Sequence, residues 1–116
     1  MDKIRINDLL VRCIIGARDY ERDHPQDVLL NIEVFLDLEK PGKTDQLNDT
    51  LDYSQIEGAI VEAVRESRFS LLEALAEEVA GLCLSYEEVE KVKVAIRKPG
   101  ALRYADSAEV EIQREN

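Results

Sequence analysis

Hydrophobic residues change rhythm twice along this chain, and the changes mark its elements. Ile4 and Ile6 alternate with polar neighbours; after Asn7-Asp8 the alternation resumes in a shifted phase as Leu9, Val11, Cys13 and Ile15. A phase slip inside a period-two run predicts a bulge or bend within one long strand. Gly16 ends that run, and the stretch from Ala17 to Gln26 is polar and turn-like, with Pro25 breaking any helix. Val28, Leu30, Ile32, Val34, Leu36 and Leu38 then share one face, while Asn31, Glu33, Asp37 and Glu39 share the other. This predicts a second long strand, closed by Pro41-Gly42.

The middle of the chain is helical. Ile56, Ala59, Ile60, Ala63 and Val64 follow the i, i+3, i+4 spacing of an amphipathic helix. Asp52, with Gln55 three residues on, resembles a capping box at its start. A second helix is predicted from the arc Leu71, Leu72, Leu75, Ala76, Val79, Leu82 and Cys83. Alternation returns in Val92, Val94, Ile96 and again in Ala108, Val110, Ile112. The order ββααββ predicts a two-layer α+β fold: a four-stranded antiparallel sheet with one apolar face packed on two helices. No repeat, linker or low-complexity tract interrupts it, so residues 1–116 are expected to form one domain. The long first hairpin overhangs a small helical layer and leaves extended edges. Closing sheets from several subunits into a barrel would remove those edges, which predicts a homo-oligomer; the alternative is a monomer guarded by lysines and glutamates.

Composition narrows the partners. Hydrophobic residues make up 45% of the chain, enough for a globular core. Acidic residues number 25 against 15 basic, and no basic run of five exists, so neither nucleic acid nor an anionic membrane is an expected partner. Cys13 and Cys83 sit on apolar phases and read as free core thiols, and His24 is the sole histidine, so no zinc-spaced cluster arises. Met1-Asp2-Lys3 leads directly into a strand pattern without a signal-like apolar segment, and no apolar run reaches membrane-spanning length. The expected location is the cytoplasm.

Four residues are candidates for chemistry, each with two readings. Ser70-Leu71-Leu72-Glu73 matches the capping box S-x-x-E; Glu73 is also a carboxylate among leucines at a helix mouth, able to accept two parallel N–H bonds from an amidine-like ring edge. Lys98, held extended by Pro99, is a solvent-facing strand end or a partly buried acid–base group. Tyr53 covers the core at a helix start or reaches a ligand. Glu21 lies in Arg18-Asp19-Tyr20-Glu21-Arg22-Asp23, a solvated loop on the simplest reading.

The combination is more informative than its parts. Ile15-Gly16, Glu21 and Gln26, then Leu51-Asp52-Tyr53, then Arg68-Phe69-Ser70-Leu71-Leu72-Glu73-Ala74-Leu75-Ala76-Glu77, then Lys98-Pro99 resemble, in that order, the dihydroneopterin aldolase family. Each motif alone is weak; four in order on the expected elements are fairly specific. The resemblance implies the tunnelling fold, with strands joined around a tetrameric ring, rings stacking in pairs as octamers, and active sites between subunits. It implies a pterin substrate, no cofactor and no metal. Glu73 would anchor the 2-amino-4-oxo edge of the pterin, and the Leu72 backbone would add a hydrogen bond. Tyr53 would come from the neighbouring subunit and help deliver a proton. Glu21 would contact the substrate and organise its reacting end, and Lys98, through water, would give or take the proton.

Two other activities stay open. Pro99-Gly100-Ala101-Leu102-Arg103-Tyr104-Ala105-Asp106-Ser107 is similar to the related dihydroneopterin triphosphate 2′-epimerase branch, for which Arg97 and Arg103 are the candidate phosphate partners. A non-catalytic pterin-binding protein of the same fold would need Glu73 but not Lys98.

Overall fold

The computed structural model describes residues 1–116 and contains four strands in the spatial order β1-β2-β3-β4, all antiparallel. They are β1 (Lys3–Cys13), β2 (Gln26–Phe35), β3 (Lys91–Pro99) and β4 (Ser107–Glu115). Helix α1 (Glu39–Thr44) follows β2, and helices α2 (Tyr53–Glu66) and α3 (Leu72–Leu84) cover one face of the sheet. Val11, Val28, Leu30, Ile32, Val34, Val92, Val94 and Ile96 meet Ile56, Ile60 and Val64 of α2 and Leu75, Ala76, Val79 and Cys83 of α3 in one core. Both cysteines are buried and free, as the apolar phases predict.

The phase slip at Asn7-Asp8 is a bulge. Ile6 pairs with Ile32 but Leu9 pairs with Leu30, so β1 carries one extra residue, and Asp8 takes a positive φ of 52°. Asn31 stabilises it: its Oδ1 accepts from the Asp8 amide at 2.8 Å. The bulge keeps both halves of β1 facing the core, which a straight strand could not do.

Strand β2 stops at Phe35, three residues short of the predicted Leu38. Phe35 pairs with Lys3 on one side and Lys91 on the other, the first residues of β1 and β3, so no neighbour remains beyond it. Leu36 and Leu38 instead bond Asp2 through its carbonyl and carboxylate. The Pro41-Gly42 pair expected to close a strand lies inside α1. Proline is tolerated in a first turn, where its missing N–H has no helical acceptor. Asp45, at φ 57°, closes α1, its amide donating a hydrogen bond to the Pro41 carbonyl.

Capping also departs from expectation. Asp52 caps α2, its Oδ1 accepting from the Ser54 and Gln55 amides at 3.0 and 3.4 Å, without the reciprocal Gln55 bond of a full box. At α3 the N-cap is Leu71 rather than Ser70, and no side chain caps the helix. Leu71 therefore lies outside the predicted arc and is exposed.

The second face of the sheet is polar. Glu33 meets Lys3, Arg5 and Lys93 there, and the Lys3 ammonium, ahead of the other cations, holds its carboxyl below the ordinary range. Strands β1 and β4 are both unpaired edges. No helix is long and apolar enough to cross a membrane.

Candidate active site

The apolar stripe on the helix-facing side of the sheet turns polar at one end. Gln26 precedes Val28 and Leu30 in phase on β2, and Lys98 follows Val94 and Ile96 in phase on β3. Cys13 pairs with Gln26 on the adjacent strand. Its thiol lies beside Ser67 and Lys98, and burial pushes it up.

Glu21 completes this cluster from the loop after β1, and it is the sole buried charged residue, 7% exposed. Its Oε2 accepts from Lys98 Nζ at 2.6 Å and Gln26 Nε2 at 3.1 Å, and its Oε1 from the Arg18 amide at 3.2 Å. Gln26 Nε2 also donates to the Ile15 carbonyl at 2.8 Å, tying the carboxylate to the end of β1. The Lys98 hydrogen bond, opposed by burial and assisted by Gln26 and Arg18, holds the Glu21 carboxyl at about 2. Side-chain exposures of 12% for Lys98 and 8% for Glu21 make this a sheltered ion pair. The solvated-loop reading of Glu21 and the solvent-facing reading of Lys98 are therefore both wrong.

Gly16 makes room for the carboxylate. A Cβ there would stand 2.2–2.4 Å from the Glu21 carboxyl atoms, and its φ of 131° is accessible to glycine alone at little cost. Its amide donates to the Phe69 carbonyl at 3.2 Å, joining this loop to the segment between α2 and α3. Two residues past Leu71, in the first turn of α3, Glu73 is exposed and caps nothing, which removes the capping-box reading. The first helical hydrogen bond is donated by the Leu75 amide to the Leu71 carbonyl at 3.3 Å, so the amides of residues 72–74 have no helical acceptor. Leu72 is half-buried beside the core.

Tyr53 is elsewhere. It opens α2 and is 62% exposed, so it does not cover the core. It lines a cleft of about 450 Å³ with Ile4, Leu47, Thr50, Leu51, Asp52 and Ser54. Ser67, at the other end of α2, is the residue beside Cys13. A helix of that length spans roughly 20 Å, so one chain cannot bring Tyr53 to Lys98. Arg97 neighbours Lys98 on β3 and so points to the opposite face of the sheet, while Arg103 is exposed in the β3–β4 loop.

Sequence reasoning used Gly16 as a strand end and Gly16 and Gln26 as motif positions, but gave neither of them, nor Arg22, a role in the site. For Gln26 and Lys98 a signal existed: both are polar residues in the buried phase of their strands.

A sheltered carboxylate–ammonium pair on the rim of an antiparallel sheet backed by helices is an arrangement that can exchange protons with a small molecule. The sequence pattern of the dihydroneopterin aldolase family matches residues 4–113. The chain is 37% identical to dihydroneopterin aldolase of Escherichia coli, over 100% of this chain and 95% of that protein. It is 36% identical to the dihydroneopterin triphosphate 2′-epimerase of Escherichia coli, over 90% of this chain and 87% of that one. It matches the Dictyostelium discoideum folic acid synthesis protein FOL1 at 39% identity but spans only 17% of that longer chain. The crystal structure of Escherichia coli dihydroneopterin aldolase in complex with neopterin superposes with a TM-score of 0.94 at 37% identity, covering 98% of this chain and 99% of that one. The chain belongs to the dihydroneopterin aldolase family.

Proposed function

We propose that this protein cleaves 7,8-dihydroneopterin by a retro-aldol reaction to 6-hydroxymethyl-7,8-dihydropterin and glycolaldehyde, a step of folate biosynthesis. The observation that carries the reading is the Lys98–Glu21 pair, 2.6 Å apart on the site rim. The 2′-hydroxyl loses its proton and the C1′–C2′ bond breaks, releasing C2′ and C3′ as glycolaldehyde. The bonding pair flows into the pterin's own N5=C6 imine, giving an enamine with a protonated N5. Protonation of C1′ and loss of the N5 proton then restore the imine. The substrate supplies the electron sink, so the protein's task is orientation and proton transfer, the latter worth about 10²–10⁴-fold.

In this reading Lys98, through water, exchanges the proton, and Glu21 orients Lys98 and the reacting end of the substrate. Glu73 and the free Leu72 amide hold the 2-amino-4-oxo edge. Tyr53 delivers a proton from a second subunit. The length of α2 between Tyr53 and the Lys98 cluster supports a shared site, and the two open edges β1 and β4 support a heterologous ring, closed as a tetramer or stacked as an octamer. The whole of residues 1–116 acts as one domain, in the reducing cytoplasm where Cys13 and Cys83 stay free.

A second reading, epimerisation at C2′, shares the cleavage step and differs in readdition of the aldehyde to its other face. The 36% identity to the epimerase favours a side activity of this kind. Against a triphosphate as the main substrate stands Arg97, on the far face of the sheet from Lys98. A protein that only binds pterin has no use for a sheltered Lys98–Glu21 pair.

Product analysis by liquid chromatography, with 7,8-dihydroneopterin and no added metal, tests the reading. The expected product is 6-hydroxymethyl-7,8-dihydropterin; dihydromonapterin as the main product would move the assignment to the epimerase branch.

A further inference from the structure

We infer that Arg22 is a positioning residue that keeps the proton-transfer pair in register with the helix that anchors the pterin, a role that rests on the aldolase reading above. Glu21 and Glu73 stand on separate segments, and no strand or helix contains both. The start of α3 has no side-chain cap to fix it locally. Its position relative to Glu21 depends on bonds across the two loops.

Arg22 makes most of them. Its Nη1 donates to the Gly16 carbonyl at 2.9 Å and the Phe69 carbonyl at 3.1 Å, and its Nη2 donates to the Arg68 carbonyl. Arg68 answers with a bond from its Nη2 to the Arg22 carbonyl at 3.0 Å. Gly16 is thus held at both backbone groups, its amide on Phe69 and its carbonyl on Arg22. Gly16 is also the residue whose Cα faces the Glu21 carboxylate. Arg22 takes part in no ion pair, so its planar fork serves three neutral carbonyls on two segments. A lysine ammonium offers one point of attachment and cannot reproduce that geometry.

Releasing this clamp frees the first turn of α3 to shift relative to Lys98. Pterin still binds Glu73 and Leu72, which travel together, but its reacting carbon misses the proton donor. A misplacement near 1 Å costs about 10²-fold in rate. The role therefore predicts a loss in kcat with little change in pterin affinity.

The test uses the full, assembled protein carrying Arg22→Lys or Arg22→Gln. Three quantities are measured: kcat with 7,8-dihydroneopterin, Kd for 6-hydroxymethyl-7,8-dihydropterin, and amide hydrogen exchange at Gly16 and at Leu75, the first hydrogen-bonded amide of α3. The expected result is joint acceleration of exchange at both places, kcat lower by about 10–100-fold, and Kd within about threefold. Unchanged exchange at Leu75 overturns the clamp, as does a lower Tm with kcat and Kd both unchanged. Should Arg22→Gln fail to fold, Arg68→Gln removes only the return bond; a smaller joint acceleration supports the clamp and none overturns it. If the unmodified protein turns over neither dihydroneopterin nor its triphosphate, the aldolase reading falls by itself. The exchange experiment then decides the clamp alone.

Discussion

Lys98 Nζ stands 2.6 Å from Glu21 Oε2 across 77 residues of chain, and the contact joins the end of β3 to the turn that follows β1. Removing one partner strands the other in a sheltered place. Lys98→Ala is expected to abolish turnover while pterin binding survives within about tenfold, because the anchoring edge is held by Glu73. Steady-state assays alongside equilibrium binding of the product check this. Unchanged turnover removes Lys98 from the mechanism.

The same pair makes stability depend on acid. Glu21 sits at about 2 in the folded chain against an ordinary 4.5. A folded-state value below the unfolded one means the stabilisation is fully present above the ordinary value and is lost as pH falls toward the folded one. Urea midpoints of the unmodified protein and Glu21→Gln should therefore differ most above 4.5 and converge as pH approaches about 2. A gap that stays constant through this window contradicts the ion pair.

Gly16→Ala is expected to damage both stability and activity. The new methyl would overlap the Glu21 carboxyl at 2.2–2.4 Å, and the φ of 131° adds backbone strain. Such overlap and strain cost about 1–3 kcal/mol each, and relief requires Glu21 to leave Lys98. Thermal denaturation and kcat should fall together; a variant with normal kcat shows that Glu21 does not need its present position.

Glu73→Gln separates binding from folding. Glu73 is exposed and caps no amide, so the substitution should leave the unfolding free energy within about 0.5 kcal/mol of its original value. Loss of a charge-assisted bond to the pterin edge should weaken binding by about 1.5–3 kcal/mol. Calorimetric titration with 6-hydroxymethyl-7,8-dihydropterin measures it, and normal affinity would remove Glu73 as the anchor.

What the sequence revealed, and what it hid, follows from how far each feature is local. Period-two runs in β2 to β4 and the 3.6 spacing of α2 are local and were legible, as was the bulge at Asn7-Asp8, because a phase slip is itself a local signal. The end of β2 was not, since it depends on where β1 and β3 begin: Leu36 and Leu38 keep the alternation, yet no strand remains beside them. Helix α1 was hidden because Pro41-Gly42 reads as punctuation, while a first turn has no use for the N–H that proline lacks. Burial of Glu21 could not be read from a loop as charged as its neighbours. It arises from three partners, of which Arg18 and Gln26 are close in sequence but Lys98, the charged one, is 77 residues away. The misread cap at Ser70 has the same origin, because Gly16 and Arg22 grip the segment just before it from across the fold.

Tyr53 provides the sharpest test of a shared site. It lies at the far end of α2 from Ser67, the residue beside Cys13, so a site that uses both would take Tyr53 from one subunit and Lys98 from the next. Two inactive variants, Tyr53→Ala and Lys98→Ala, should then complement each other when their subunits are mixed. In a heterologous ring each interface joins one face of one subunit to the other face of its neighbour. With random mixing in equal amounts, about a quarter of the interfaces pair an intact Lys98 with an intact Tyr53. Co-refolding or co-expression of the two variants should restore about that fraction of the unmodified turnover. Each variant alone should stay inactive. A mixture as inactive as its components would mean that Tyr53 and Lys98 do not share a site between subunits, and Tyr53 would lose its place in the proton transfer.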